Sequence, residues 1–168
     1  MAHSPFDTLG LPVRFDLTHT EIERAYLSKI ASAHPDLGNT SEAGDPAVLN
    51  EARKTLLDDE QRARAVLAIR APGAKPPALS PDFLAEILEV REEAEEAVQS
   101  GDEQSVERWR TWAADRRADL AGELGKLLAS EGPLDTQRAA MAAGVLQQWR
   151  YFERMLEQVG VPAHAPDA

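Results

Sequence analysis

Three adjacent residues, His34, Pro35 and Asp36, set an imidazole, a backbone breaker and a carboxylate side by side at the exit of an amphipathic segment. Read alone, they allow a plain account. A histidine ends a helix, where the negative pole of the dipole favours its charge, and Pro35 stops the helix by removing a donor and disfavouring the α conformation at His34. A second group lies within residues 81–100. At about 100° per residue, Phe83, Ile87, Val90, Ala94, Ala97 and Val98 share one face and form a natural core stripe. Leu84 and Leu88 project roughly 90–130° from its centre, with Ala85, Glu89, Glu92, Glu95 and Glu96 around and behind them. Spacing leaves two readings open. Either the leucines pack beneath the linker or the first domain and the acids are a solvated face, or an apolar centre with an acidic rim forms a docking surface.

Enzymatic chemistry finds no foothold. The 168 residues contain no Cys, which removes disulfides, thiolate metal sites and a cysteine nucleophile and fits a reducing cytoplasm. His3, His19 and His164 show no ligand spacing with one another or with carboxylates, and no nucleophile elbow, phosphate loop or zinc motif is present. Residues 1–70 hold 8 Lys/Arg against 11 Asp/Glu, and residues 71–168 hold 10 against 18, so a nucleic-acid partner is not expected. No apolar run approaches the roughly 20 residues that span a bilayer, and the first residues lack the basic start and apolar stretch of a signal peptide.

The elements that must position these residues read as helices throughout. Ala, Leu, Glu and Arg dominate, and runs of Val, Ile and Thr are missing, which predicts an all-α protein. A short apolar turn or helix, Phe6 to Leu11, ends at Gly10 and Pro12. The next helix opens with two overlapping capping-box candidates, Thr18 with Glu21 and Thr20 with Glu23, and carries Ile22, Ala25, Tyr26, Ile30 and Ala33 as one stripe. Asp45-Pro46 is a helix start; Leu49, Ala52 and Leu56 follow, then a break at Asp58-Asp59 and a shorter helix with Ala63, Val66 and Leu67. Prolines in residues 71–81 predict a stiff linker. Beyond it, three helices are expected, from Ser80-Pro81 to Ser100, from about Glu103 to Ser130, and from near Asp135. Their inward residues are Val106, Trp109, Ala113, Leu120, Leu124 and Leu127 on the second, and Met141, Val145, Trp149, Phe152, Leu156 and Val159 on the third. Trp109, Trp112 and Trp149 read as packing residues. The tail 161–168 is expected to be flexible.

Several of these features together resemble a J-domain, the module that stimulates ATP hydrolysis by DnaK-type chaperone ATPases. Tyr26 precedes His34 by eight residues, Phe6-Asp7-Thr8-Leu9-Gly10-Leu11 comes early, Leu49-Asn50-Glu51-Ala52 opens the next stripe, and Leu56 to Ala63 follows. The segment from Phe83 to Ala94 is similar to the opening helix of the C-terminal domain of HscB-type co-chaperones of iron–sulfur cluster assembly. Leu146 to Leu156, with Trp149-Arg150-Tyr151-Phe152-Glu153, is similar to that family's last helix. The resemblance implies a J-domain at 1–70, a linker at 71–81 and a client-binding three-helix domain at 82–160.

It also implies roles. His34, Pro35 and Asp36, with Arg24 and Lys29 on the preceding helix, would contact an HscA- or DnaK-type ATPase. Leu84, Ala85, Leu88, Glu89, Glu92, Glu96 and Tyr151 would contact an IscU-like scaffold. The chain would be an ATPase activator in the cytoplasm rather than an enzyme, with no catalytic residue, metal, cofactor or membrane partner of its own. Departures from the family pattern are visible. Only Arg24 and Lys29 remain of the usual basic face, Leu37 replaces a basic residue, Ala33 an aromatic, and Arg53 stands where an aromatic is common. The segment between the loop and the next helix is shorter by roughly two helical turns. A second reading keeps the architecture but gives it a different client or a general DnaK partner, with a weakened J-domain.

Overall fold

Residues 3–32, 45–129 and 132–158 are described by a computed structural model, and among them there are seven α-helices and no strand. His34-Pro35-Asp36, Ala33, Leu37, Val159 and the tail lie outside the described residues. The chain divides into two compact units, Met1–Ala74 with Gly125–Ala139 and Lys75–Leu124 with Ala140–Ala168. The change of unit falls inside the proline-rich stretch, and residues 125–139 join the first unit, which spacing along the sequence does not suggest.

In the first unit, α1 (Pro5–Leu9) is framed by a Ser4–Asp7 capping box and by Gly10 in the left-handed conformation, φ 69°. Helix α2 (His19–Ser32) selects one of its two capping candidates. The Thr18 amide donates to the Glu21 carboxylate at 2.8 Å, and the Glu21 amide donates to the Thr18 hydroxyl at 3.2 Å. Thr20 is then already inside the helix, and the Glu23 carboxylate is left for other work. Helix α3 (Pro46–Leu57) starts from Asp45, whose carboxylate accepts from the Ala47 amide at 2.9 Å. Asp58 both ends α3 and caps α4 (Asp59–Arg70), accepting from the Gln61 amide at 2.8 Å. Helices α1, α2 and α4 all pack on α3, around Phe6, Leu9, Phe15, Leu17, Ile22, Leu49, Leu56, Ala63 and Val66.

Buried arginines supply the polar joints of this unit. Arg62 donates to the Phe15 carbonyl at 2.8 Å and the Leu56 carbonyl at 2.5 Å, pairs with Asp59, and lies 5.0 Å over the Phe15 ring. Arg70 donates to the carbonyls of Gly132 and Leu128 at 2.6 and 2.9 Å, while its own carbonyl accepts from the Leu134 amide. Arg138 takes the Leu127 and Lys126 carbonyls at 2.8 and 3.2 Å. Residues 126–128 end a helix, where carbonyls lack intrahelical partners and the dipole is negative, so guanidinium donors suit them on both counts.

The second unit holds α5 (Pro81–Ser100) and most of α6 (Glu103–Leu128) and α7 (Thr136–Gln158). Ser80 caps α5, accepting from the Phe83 amide, and Gly101 ends it at φ 68°. Phe83, Ile87, Val90, Ala94 and Ala97 of α5 bury against Trp109 and Ala113 of α6 and Phe152, Met155 and Leu156 of α7. Trp112 stacks edge-on between Trp109 and Phe152, at 5.5 and 5.4 Å. At Gly144 a Cβ would stand 3.1 Å from the Pro77 ring, so the linker runs close against α7 there.

Some expected inward positions fall outside the core. Met141 is 47% exposed, because Ala139, Ala142 and Ala143 line the buried face at the start of α7. Leu128 takes the place expected of Leu127, continuing the four-residue steps from Leu120 and Leu124. Val98 is 38% exposed, since the α5 stripe ends at Ala97. Leu84 is half-buried and packs against the core cluster.

Arg62→Met should remove the donors to two buried carbonyls and lower stability by about 2–4 kcal/mol. Urea unfolding followed by circular dichroism checks this, with a lower midpoint as the expected outcome.

Candidate functional site

Helix α2 ends at Ser32, two residues before His34 in the sequence. Its surface carries Arg24 and Lys29, both exposed, with Leu27 61% exposed between them. The Lys29 stem passes over the Gly10 turn, where a Cβ would lie 3.4 Å from its Cε. Gly10 is required for its positive φ, while a side chain there would meet Lys29 only in ordinary van der Waals contact. A shallow hollow lined by Leu9, Gly10, Leu11, Arg24 and Lys29 separates the end of α1 from α2.

Both acids of α2 are occupied. Arg14 donates to Glu21 and also reaches Asp16 at 3.3 Å. Arg53 of α3 grips the Glu23 carboxylate in bidentate fashion, its Nε 2.9 Å from each oxygen, and lies 5.3 Å over the Tyr26 ring. The residue that replaces a common aromatic therefore still packs on an aromatic, and adds an ion pair. Hydrogen bonds from Thr18 hold the Glu21 carboxyl below its ordinary 4.5, and the Arg53 hydrogen bond does the same for Glu23. Among the described residues, Arg24 and Lys29 have no ion-pair partner.

The α5 face has the opposite character. Leu88 is 56% exposed, and Ala85, Glu89, Glu92 and Glu96 are exposed around it. Tyr151 of α7 is 43% exposed and is held there by an edge-on contact with Phe83 at 6.1 Å. Glu95 pairs with Arg91 at 2.8 Å, a hydrogen bond that pushes the guanidinium's already high pKa further up, and Glu86 lies 3.9 Å from Arg116. Glu89, Glu92 and Glu96 have no ion-pair partner among the described residues. Leu84 belongs more to the core than to this surface, so Leu88 and Tyr151 supply its large apolar area.

Seven residues named from resemblance for one partner thus share a single unit and, apart from Tyr151, a single helix. Of the five named for the other, only Arg24 and Lys29 are described. The pairings of Arg14 and Arg53 were not legible in the sequence, because their partners lie 7 and 30 residues away with no periodic signal. Among the described residues, no group of three or more His, Asp or Glu is placed to hold a metal ion, and no helix is long and apolar enough to cross a membrane.

Comparisons with known proteins bear on the same regions. A family model described as the HSCB C-terminal oligomerisation domain matches residues 79–160. The co-chaperone protein HscB homolog of Burkholderia cenocepacia is 30% identical over 169 residues, covering 94% of this chain and 92% of that relative. Its counterpart in Paraburkholderia xenovorans is 31% identical over 170 residues with the same coverage. Among solved structures, the human co-chaperone protein HscB aligns with a TM-score of 0.71 at 18% identity, covering 95% of this chain and 82% of the other. The chaperone HscB from Vibrio cholerae aligns with a TM-score of 0.63 at 24% identity, covering 94% and 96%. These two structures speak to the fold, an all-helical one shared along nearly the whole chain.

Because the folded Glu23 carboxyl titrates below its unfolded value of 4.5, its pairing stabilises the fold above that pH, and the contribution disappears as pH falls through the lower, folded value. Arg53→Gln should move the Glu23 midpoint back up toward 4.5, since the Arg53 hydrogen bond is the largest cause of the shift. A carboxyl-carbon NMR titration of both proteins checks it.

Proposed function

The chain belongs to the HscB co-chaperone family, and from that premise we propose that it delivers an IscU-like iron–sulfur scaffold to an HscA- or DnaK-type ATPase and stimulates ATP hydrolysis there. The observation that supports this most is the α5–α7 face, where Leu88 and Tyr151 are exposed beside the uncompensated carboxylates of Glu89, Glu92 and Glu96. Apolar area at the centre of such a face gives affinity by desolvation, and a one-signed rim orients a basic partner and rejects an acidic one. Leu84 and Ala85 add less, the first because it is half-buried and the second because it is small.

On the other unit, His34, Pro35 and Asp36 are proposed to engage the ATPase, with Arg24 and Lys29 on the approach. The hydrolytic site would belong to the ATPase. The co-chaperone would act by binding the hydrolysis-competent state more tightly than the resting one, which is the only way a ligand can shift such an equilibrium. No nucleotide, metal or cluster chemistry is assigned to this chain, and the cytoplasm is the proposed compartment. A second reading, with a different client, is favoured by the small apolar area that Ala85 and the half-buried Leu84 leave on α5.

His34→Gln should leave the helical content unchanged and abolish stimulation of the ATPase in single-turnover hydrolysis; full stimulation by that variant would defeat the ATPase assignment. Leu88→Ser, at an exposed position outside the core cluster, should weaken scaffold binding by roughly 1–2 kcal/mol. Calorimetry with the IscU-like scaffold reads it, and unchanged affinity would favour the different client.

A further inference from the structure

Helix α2 carries two acids, Glu21 and Glu23, and two fixed cations, Arg24 and Lys29, so its own sequence is formally neutral. The structure changes that balance by bringing cations from elsewhere. Arg53, on α3, covers Glu23 with a bidentate pair, and Arg14, ahead of α2, covers Glu21 while shared with Asp16. Arg24 and Lys29 face outward with no ion-pair partner among the described residues. A carboxylate in contact with a guanidinium presents a dipole, whose field fades with distance faster than that of a lone charge. Arg24 and Lys29, set against the one carboxylate in excess in the Arg14–Asp16–Glu21 group, leave the approaching partner a net positive face rather than a neutral helix.

We propose that Arg53 is a positioning residue that acts through charge: by cancelling Glu23 it lets Arg24 and Lys29 present a net basic α2 face to an acidic surface on the ATPase. The idea rests on the ATPase reading above and adds to it a residue that need not touch the partner. Steering of this kind acts on the association rate and is suppressed by salt. A purely structural clamp would show neither signature. The two roles also differ in what the double variant does. Removing Glu23 together with Arg53 destroys the clamp but leaves the net charge of the face unchanged.

Stopped-flow association of the full-length chain with an HscA-type ATPase in its ATP state, over a series of salt concentrations, tests this. Arg53→Gln should associate about three- to tenfold more slowly at low salt, converging on wild type at high salt. Arg53→Lys should keep the wild-type rate, Glu23→Gln should associate faster, and Glu23→Gln with Arg53→Gln should return to within about twofold of wild type. Equal rates for Arg53→Gln and wild type at low salt overturn the proposal. So does a double variant as slow as Arg53→Gln alone, which marks a clamp. A wild-type chain that does not associate at all defeats the ATPase reading and this proposal with it, whereas a wild type that associates and an Arg53→Gln that matches it defeat this proposal alone.

Discussion

One contact ties α2 to α3 and at the same time alters the charge of the α2 surface: the Arg53 guanidinium on the Glu23 carboxylate, with the Tyr26 ring beneath it. Both side chains are partly exposed, so as a source of stability the pair is modest. Its larger effect is electrostatic. Stability in that unit rests instead on the apolar core around Phe6, Ile22, Leu49 and Leu56 and on Arg62, which is buried and donates to two main-chain carbonyls. The two arginines divide the work: one holds elements together from inside, the other edits the surface.

The same bookkeeping of charges gives the α5–α7 face its opposite sign. There the acids at 89, 92 and 96 stand without ion-pair partners among the described residues, while Glu95 and Glu86 are matched by Arg91 and Arg116. A chain with a net charge of −11 has acids to spare, and what matters is where they are left uncovered. On α2 they are covered and the cations are not. On α5 the reverse holds. Faces of opposite charge, one in each unit, are what an adaptor needs if its two partners are to be told apart by charge.

Much of the fold was legible because it is local. Capping residues at 18, 45 and 80, the break at Asp58-Asp59, the helix-ending glycines at 10 and 101, and the three- and four-residue apolar steps set the helices to within a residue or two. Angle alone left Leu88 open between packing under the linker and exposure, and the structure leaves it exposed. What periodicity missed was set by partners distant in sequence. Leu84 packs partly against a core cluster whose α6 and α7 members an angular plot does not contain, and Met141 gives way on the buried face to three alanines. Residues 125–139 join the first unit, where Arg70 bonds to Leu128 and Gly132 across about 60 residues of sequence. Ion pairs such as Glu23 with Arg53 leave no periodic trace at all.

The central claim is that a single chain joins two partners, and retention of the IscU-like scaffold on an immobilised HscA-type ATPase measures it most directly. Adding the chain should raise the amount of scaffold retained, and Leu88→Ser should raise it much less. Retention that stays the same whether or not the wild-type chain is present would contradict the account.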